Sequence, residues 1–506
     1  MMVEYIQGIP RDQLHLFIQS LDELIDKNHI VRFIDAYVDS LNMEGLGFKT
    51  AEMKTGAQPY SEQLKLKIYI YGYFEKIRSS RRLEKECLRN KEMIWLTEGL
   101  SPDFKTIADF RKDNSKAFRN IFKGFLTLCH KLELLSFKSV AIDGTKFRGQ
   151  NSLNEVYKRE RMKKIEAEIQ EQIDRYIKEL DEIDRKELET SMSLNQERIK
   201  KVTGLLSKQM SRLEKVKMIT EMFNADPGLD VYYATDQDCR LQSDKGKIRP
   251  GLNPQTAVEE KNKLIVVADV TNEQNDLHQL TPMIKQVKEI KAELEVTGNT
   301  NGIADAGYFS EKGILENLNH ADINIVVSPD AENKKIRKDM ESDKIPAEGF
   351  EQKDFNFEKE KDVFVCPQGH ELKKINHTPR VDRHGRDVDE YKCDSQTCNN
   401  CPQKSLCTNS KNGRMIKASV NKEAMIAYLA SLKTDENKSL IRKRKELVEH
   451  PFGTIKRTFG YSHFLLKGLE KVRAEFSFIC FVYNLKRVLN IVPMDQLLST
   501  LKGVTA

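Results

Sequence analysis

Apolar residues recur every three or four positions over most of residues 1–135, the spacing of helices that bury one face. After the turn-like Gly8-Ile9-Pro10, one such face holds Leu14, Phe17, Ile18, Leu21, Leu24 and Ile25, and the next holds Ile30, Ile34, Tyr37, Val38 and Leu41. Gln58-Pro59-Tyr60-Ser61 announces another helix with Ser61 as its N-cap and Leu64, Ile68, Tyr71 and Phe74 along it. A further helix is expected to open at Asp109-Phe110-Arg111-Lys112 and run through Phe118, Ile121, Phe122 and Phe125.

The period then changes. Val140-Ala141-Ile142 is a short β-forming run that ends on Asp143-Gly144. Residues 155–222 return to helical spacing, with Ile165, Ile169, Ile173, Ile177, Leu180 and Ile183 followed by Ile199, Val202, Leu206, Met210, Leu213 and Val216. That pattern predicts an antiparallel hairpin of two long helices, turning within Thr190–Asn195 and inserted in the chain as an arm. Strand signals follow at Val231-Tyr232-Tyr233-Ala234, Leu264–Val270 and Ile323–Val327, with a helix from Thr281 between them and a short apolar run ending on Asp305. The predicted order of strand, strand, helix, strand, helix, strand is that of a mixed α/β sheet.

Composition narrows the class. The chain has 506 residues, 39% of them hydrophobic, enough for about three domains. It shows neither an apolar run near membrane-spanning length nor a signal segment, so the expectation is a cytoplasmic protein without a membrane partner. Its net charge of +6, from 83 basic and 77 acidic residues, does not by itself demonstrate nucleic-acid binding. Arg78, Arg81 and Arg82 form a basic run on the helical part, suited to a DNA backbone or to plain solvation.

Three places carry candidate chemistry. Asp143-Gly144 reads alone as a hairpin turn, but Asp305 also ends a short apolar stretch, between Gly302 and Gly307. Two acids at strand ends can share a divalent cation, Mg²⁺ or Mn²⁺, and leave positions free for phosphate and water. Cys366, Cys393, Cys398, Cys401 and Cys407 crowd a polar segment between Ala331 and Ala418, with His370 four positions after Cys366. In a reducing compartment this is a metal cluster. Cys366, Cys398, Cys401 and Cys407 are the expected ligands, with Cys393 as alternate, for a structural Zn²⁺ or a 4Fe-4S cluster that orders a segment too polar for a core of its own. Finally, Glu449 and Lys456 stand two helical turns apart in a basic stretch, with Pro451 between them predicting a kink or a helix start.

Ala141-Ile142-Asp143-Gly144-Thr145, Ala304-Asp305-Ala306-Gly307-Tyr308 and Val448-Glu449-His450-Pro451-Phe452-Gly453-Thr454-Ile455-Lys456 together resemble the DDE transposases of bacterial insertion sequences. So do Gln58–Ser61, Tyr71-Gly72-Tyr73, Ile77–Arg81 and Pro102–Arg111 in the helical part, and Asn253–Val258 and Asp269–Asn272 beyond it. The resemblance implies an RNase H-like mixed sheet flanked by helices, and a metal-binding triad of Asp143, Asp305 and Glu449 with two Mg²⁺ ions. Lys456 would be the basic residue of the Tyr-Arg-Glu-Lys signature. The Arg of that signature is Lys445 here, with Arg444 adjacent, and both join Lys456 and the Arg78–Arg82 run as candidate DNA contacts. The implied organisation is a DNA-binding domain at 1–135, a catalytic domain at 136–330 interrupted at 155–222, a cysteine-rich insertion at 331–419 and catalytic helices at 420–506. The implied activity is cleavage at terminal inverted repeats and joining to target DNA by a bacterial enzyme, nucleoid-associated when DNA-bound and a homodimer on DNA. An inactive, domesticated DNA-binding derivative and a metal-dependent nuclease are the alternatives.

Overall fold

The computed structural model describes residues 20–49, 58–190, 196–244, 246–318, 322–329, 349–381 and 387–502. The chain begins with α1 (Ile30–Asp39), α2 (Glu62–Phe74), α3 (Ser80–Arg89), α4 (Lys91–Leu96), α5 (Phe104–Asp113) and α6 (Ser115–Lys131). Ser61 caps α2 as expected, accepting from the Leu64 N–H at 3.1 Å. Two expectations change. The first apolar face ends in a single 3₁₀ turn, Leu21–Leu24, whose two leucines are exposed; Leu14, Phe17 and Ile18 lie outside the described residues. Asp109 opens no helix, because Asp103 already caps α5 through the Lys105 and Thr106 N–H groups and the break falls at Asn114.

Seven strands form the central sheet. Its centre is β1 (Ser139–Gly144), which runs antiparallel to β6 (Lys247–Glu259) and parallel to β8 (Thr300–Ala304). Outside these, β7 (Ile265–Thr271) pairs antiparallel with β6, and β9 (Ile323–Val327) pairs parallel with β8. The first half of β6 pairs with β2 (Phe147–Arg148) and β5 (Arg240–Asp244). Pro250 and Pro254 read against a strand, yet both lie within β6; the Pro254 carbonyl still accepts from Thr145 N–H at 2.8 Å. Val231–Tyr233, expected in this sheet, is instead β4, which among the described residues pairs with β3 alone (Val156–Lys158), at the base of two long helices. These are α7 (Met162–Thr190) and α8 (Gln196–Ala225), packed on each other around Ile169, Ile173, Val216, Ile219 and Phe223. Their expected turn, at residues 191–195, lies outside the described residues.

Helices α9 (Leu280–Glu293) and α10 (Glu311–Leu318) connect the parallel strands. After β9 the chain builds a second sheet of six strands: β10 (Asn356–Glu358), β11 (Val363–Val365), β12 (Glu371–Lys374), β13 (Arg380–Val381), β14 (Asp387–Cys393) and β15 (Met415–Ser419). Contrary to expectation this segment has its own core, with Phe355, Phe364, Leu372, Tyr391 and Ile416 buried together. It then returns through α11 (Lys422–Ser431) and α12 (Asp435–Gly453) across β9, β8 and β1. Next come α13 (Leu469–Ile491) and α14 (Met494–Lys502). The buried α13 packs between α6 and β7, and its Asn484 amide bonds both the N–H and the C=O of Ile265 on that edge strand. No helix among the described residues is long and apolar enough to cross a membrane.

Candidate active site at the ends of the parallel strands

The register of β1 on β8 pairs Ile142 with Ala304, so the next residue of each strand, Asp143 and Asp305, emerges at the same sheet edge. Gly144 keeps the space beside Asp143 open: a Cβ there would lie 2.5 Å from Gln255 Nε2 and 2.7 Å from Asp276 Oδ1. Burial pushes the Asp143 carboxyl up to about 7; the Arg444 guanidinium opposes this, and the negative charges of Asp305 and Asp276 add to it. Asp305 is more exposed and accepts from the Gly307 N–H at 2.9 Å.

Helix α12 crosses the sheet at this edge, fastened by Leu447 and Val448 against Ala141. One turn earlier, Arg444 Nη1 stands 3.7 Å from Asp143 Oδ1 and 4.0 Å from Asp305 Oδ2, an ion-pair separation for both and a hydrogen bond to neither. Glu449 is on the same helix but exposed. Pro451 does not stop the helix, which runs on to Gly453; the irregularity comes after it, as a π-helical turn at Thr454–Thr458. The sequence reading missed a further acid, Asp276, in the polar loop between β7 and α9. Its Oδ1 accepts from Asn253 Nδ2 and Gln255 Nε2, each at 2.7 Å, and lies 4.0 Å from Lys146 Nζ. The available signal was Asn253 and Gln255 themselves, two amides at alternate positions between Leu252 and the apolar pair Ala257-Val258.

Among the described residues no three His, Cys, Asp or Glu side chains are gathered closely enough to hold a metal ion as they stand. The donors nevertheless suit Mg²⁺ or Mn²⁺, being hard carboxylate oxygens beside a space that any side chain at 144 would fill.

Two family models match the chain. One, a transposase DDE domain, covers residues 365–489 and takes in Arg444 and Glu449; the other, a transposase domain (DUF772), covers residues 19–113. Both matches support a DDE transposase of insertion-sequence type. No curated protein sequence matches the chain. Among solved structures it is similar to the cryo-EM structure of a piggyBac transposase synaptic complex with hairpin DNA. The identity is 10% over 96% of this chain and 78% of that chain, with a TM-score of 0.29.

The basic residues of the chain divide by position. Arg78 is buried, stacked on Tyr461 at 4.4 Å, donating to the His463 carbonyl at 2.9 Å and facing Glu475 at 3.4 Å. Its guanidinium is committed inside the protein, so the expected backbone contact gives way to an internal tie. Arg81 and Arg82 stay exposed, Arg81 resting on Phe104 at 5.0 Å. Lys445 is exposed, and it is the adjacent Arg444 that reaches the acid pair. Lys456 lies over the Phe147 ring at 5.5 Å, close enough to Lys146 to depress that amine's pKa after burial has already lowered it.

In the second sheet Cys366, Cys393, Cys398, Cys401 and Cys407, with His370, line one small cavity of about 20 Å³. A tight turn presents Cys366, whose sulfur accepts the His370 N–H at 3.3 Å, and Cys398 accepts the Arg414 N–H at 3.4 Å. Such N–H donors favour thiolate. Burial pushes the Cys393 thiol up to about 12, the neighbouring Cys398 adding to it, and the Cys407 thiol up to about 11. A soft cation that displaces those protons suits this donor set, whether Zn²⁺ or an iron–sulfur cluster.

Proposed function

We propose that this transposase binds the terminal inverted repeats of its element and catalyses metal-dependent strand cleavage and transfer into target DNA. The adjacency of Asp143 and Asp305 at the ends of parallel strands carries the reading. The strand order β7-β6-β1-β8-β9, with β6 antiparallel to β1 and β8 and β9 parallel to it, supports an RNase H-like catalytic domain. Asp143 and Asp305 would hold Mg²⁺ or Mn²⁺, with Glu449 as third acid of the triad. When bound, a pair of such ions neutralises charge on the phosphate and lowers the pKa of the attacking water. Arg444 offsets the carboxylate charge. Lys456, Lys445, Arg81 and Arg82 would meet the DNA backbone, contributing affinity more than sequence selection. The cysteine cluster would hold a structural Zn²⁺ or 4Fe-4S centre, and assembly on DNA would be as a homodimer.

Labelled element ends incubated with the full chain and Mg²⁺ test this. End-specific nicks and joined product are expected, with Asp143→Ala and Asp305→Ala each reducing both about 100-fold or more. Nicking that persists undiminished in both variants would overturn the assignment. A Glu449→Ala chain that cleaves normally would remove Glu449 from the triad and leave the aspartate pair standing.

A further inference from the structure

Asp276 is held at the same edge as the aspartate pair. Both amides that bind its Oδ1 sit on one face of β6, at Asn253 and Gln255, and are almost fully buried. Gln255 is braced in turn, its Oε1 accepting from the buried Tyr308 hydroxyl. The second oxygen, Oδ2, is turned toward Asp305: a Cβ on Gly307 would lie 3.8 Å from Asp276 Oδ2 and 3.0 Å from Asp305 Oδ1. On the other side, a Cβ on Gly144 would be 2.7 Å from Asp276 Oδ1. Asp276 therefore borders the glycines that follow each of the other two acids.

An independent feature points to a cation there. Asn253 is 0% exposed, and its Oδ1 has no hydrogen-bond partner among the described residues while lying 3.2 Å from that same point over Gly144. A buried amide oxygen without a donor is costly unless something positive meets it. Lys146 Nζ is 4.0 Å from Asp276 and has no hydrogen-bond partner among the described residues, and Arg444 keeps 3.7 and 4.0 Å from Asp143 and Asp305. Hard oxygens of Asp143, Asp276 and Asn253 thus border a space that glycine keeps clear.

We infer that Asp276 is a ligand of the divalent cation taken up by Asp143 and Asp305, through the oxygen that Asn253 and Gln255 leave free. The inference rests on the proposed metal-dependent reading of this edge. Asp276→Asn is the informative substitution, because the new amide keeps an oxygen for Asn253 and Gln255 and replaces only the liganding oxygen.

The test is Mn²⁺ binding to the full-length chain without DNA, followed by the loss of the free-ion electron paramagnetic resonance signal, with Asp143→Asn measured in parallel. Asp276→Asn is expected to bind Mn²⁺ about tenfold or more weakly, with an unchanged melting curve in the absence of metal. Asp276→Ser, which also offers an acceptor to the two amides, is expected to weaken binding as much and serves if the first variant fails to fold. Wild-type affinity in the Asp276 variants beside a large loss in Asp143→Asn would overturn the inference and make Asp276 a loop anchor, with the metal-dependent reading intact. Wild-type affinity in Asp143→Asn as well would sink both.

Discussion

Asp143 is a carboxylate whose burial keeps it protonated until about pH 7 in the metal-free fold. The unfolded chain gives up that proton at ordinary aspartate values, near pH 4. Between those limits the folded state binds more protons, so stability falls as pH rises through the window and stays at its lower value above it. Asp143→Asn removes that penalty. Urea unfolding of the metal-free protein is expected to show the variant more stable than wild type at pH 8, by on the order of 2 kcal/mol, and equal to it near pH 3.5. Arg444→Gln should act in the opposite sense, moving the Asp143 titration still higher, as followed by carboxyl-carbon NMR, because it takes away the charge that opposes burial. Asp143 and Asp305 were legible because each follows a short apolar strand. Asp276 was not, since it lies in the polar run Asn272–Gln279 and its place depends on Asn253 and Gln255 of a strand whose two prolines disguise it.

Among elements, α12 shows how local rules and packing compete. Pro451 removes one helical donor, yet the helix continues because Leu447, Val448, Pro451 and Phe452 are all buried; the mismatch appears downstream as the π-turn that carries Lys456. The second sheet poses the converse case. Its polar strands hide a core of aromatic residues that pair across the sheet, such as Phe364 and Tyr391, whose rings are 5.0 Å apart. Removal of the proposed metal is therefore expected to loosen this unit without unfolding it outright. A chelator, or Cys398→Ser with Cys401→Ser, should lower its melting by about 4–8 °C for each kcal/mol of binding lost. Melting followed with and without chelator checks this, and complete loss of its β-sheet signal on chelation would show that the aromatic core cannot stand alone.

For the whole molecule, the helical segment and the sheet share one continuous core. Phe118 and Phe125 of α6 meet Phe478 and Phe481 of α13 edge to face, and the Arg78–Glu475 pair seals the same junction. Glu475 also accepts the Leu465 and Leu466 N–H groups, so removing its cation leaves a buried carboxylate only partly met. Arg78→Ala is expected to cost about 3 kcal/mol in chemical denaturation, with a single transition retained; a change within about 0.5 kcal/mol would show the arginine to be a surface residue in solution.

What the sequence determined by itself was local: helical and strand periods, the Ser61 cap, the acids that end β1 and β8, and a cysteine spacing tight enough to converge on one cavity. Tertiary structure decided which partners those elements met. Pairing across the sheet chose β6 over β4, burial turned Arg78 inward and let Arg444 face the acids, and a loop held by two amides brought Asp276 beside them. Such outcomes depend on contacts between residues tens to hundreds of positions apart, whose free energy has no trace in the spacing of their neighbours.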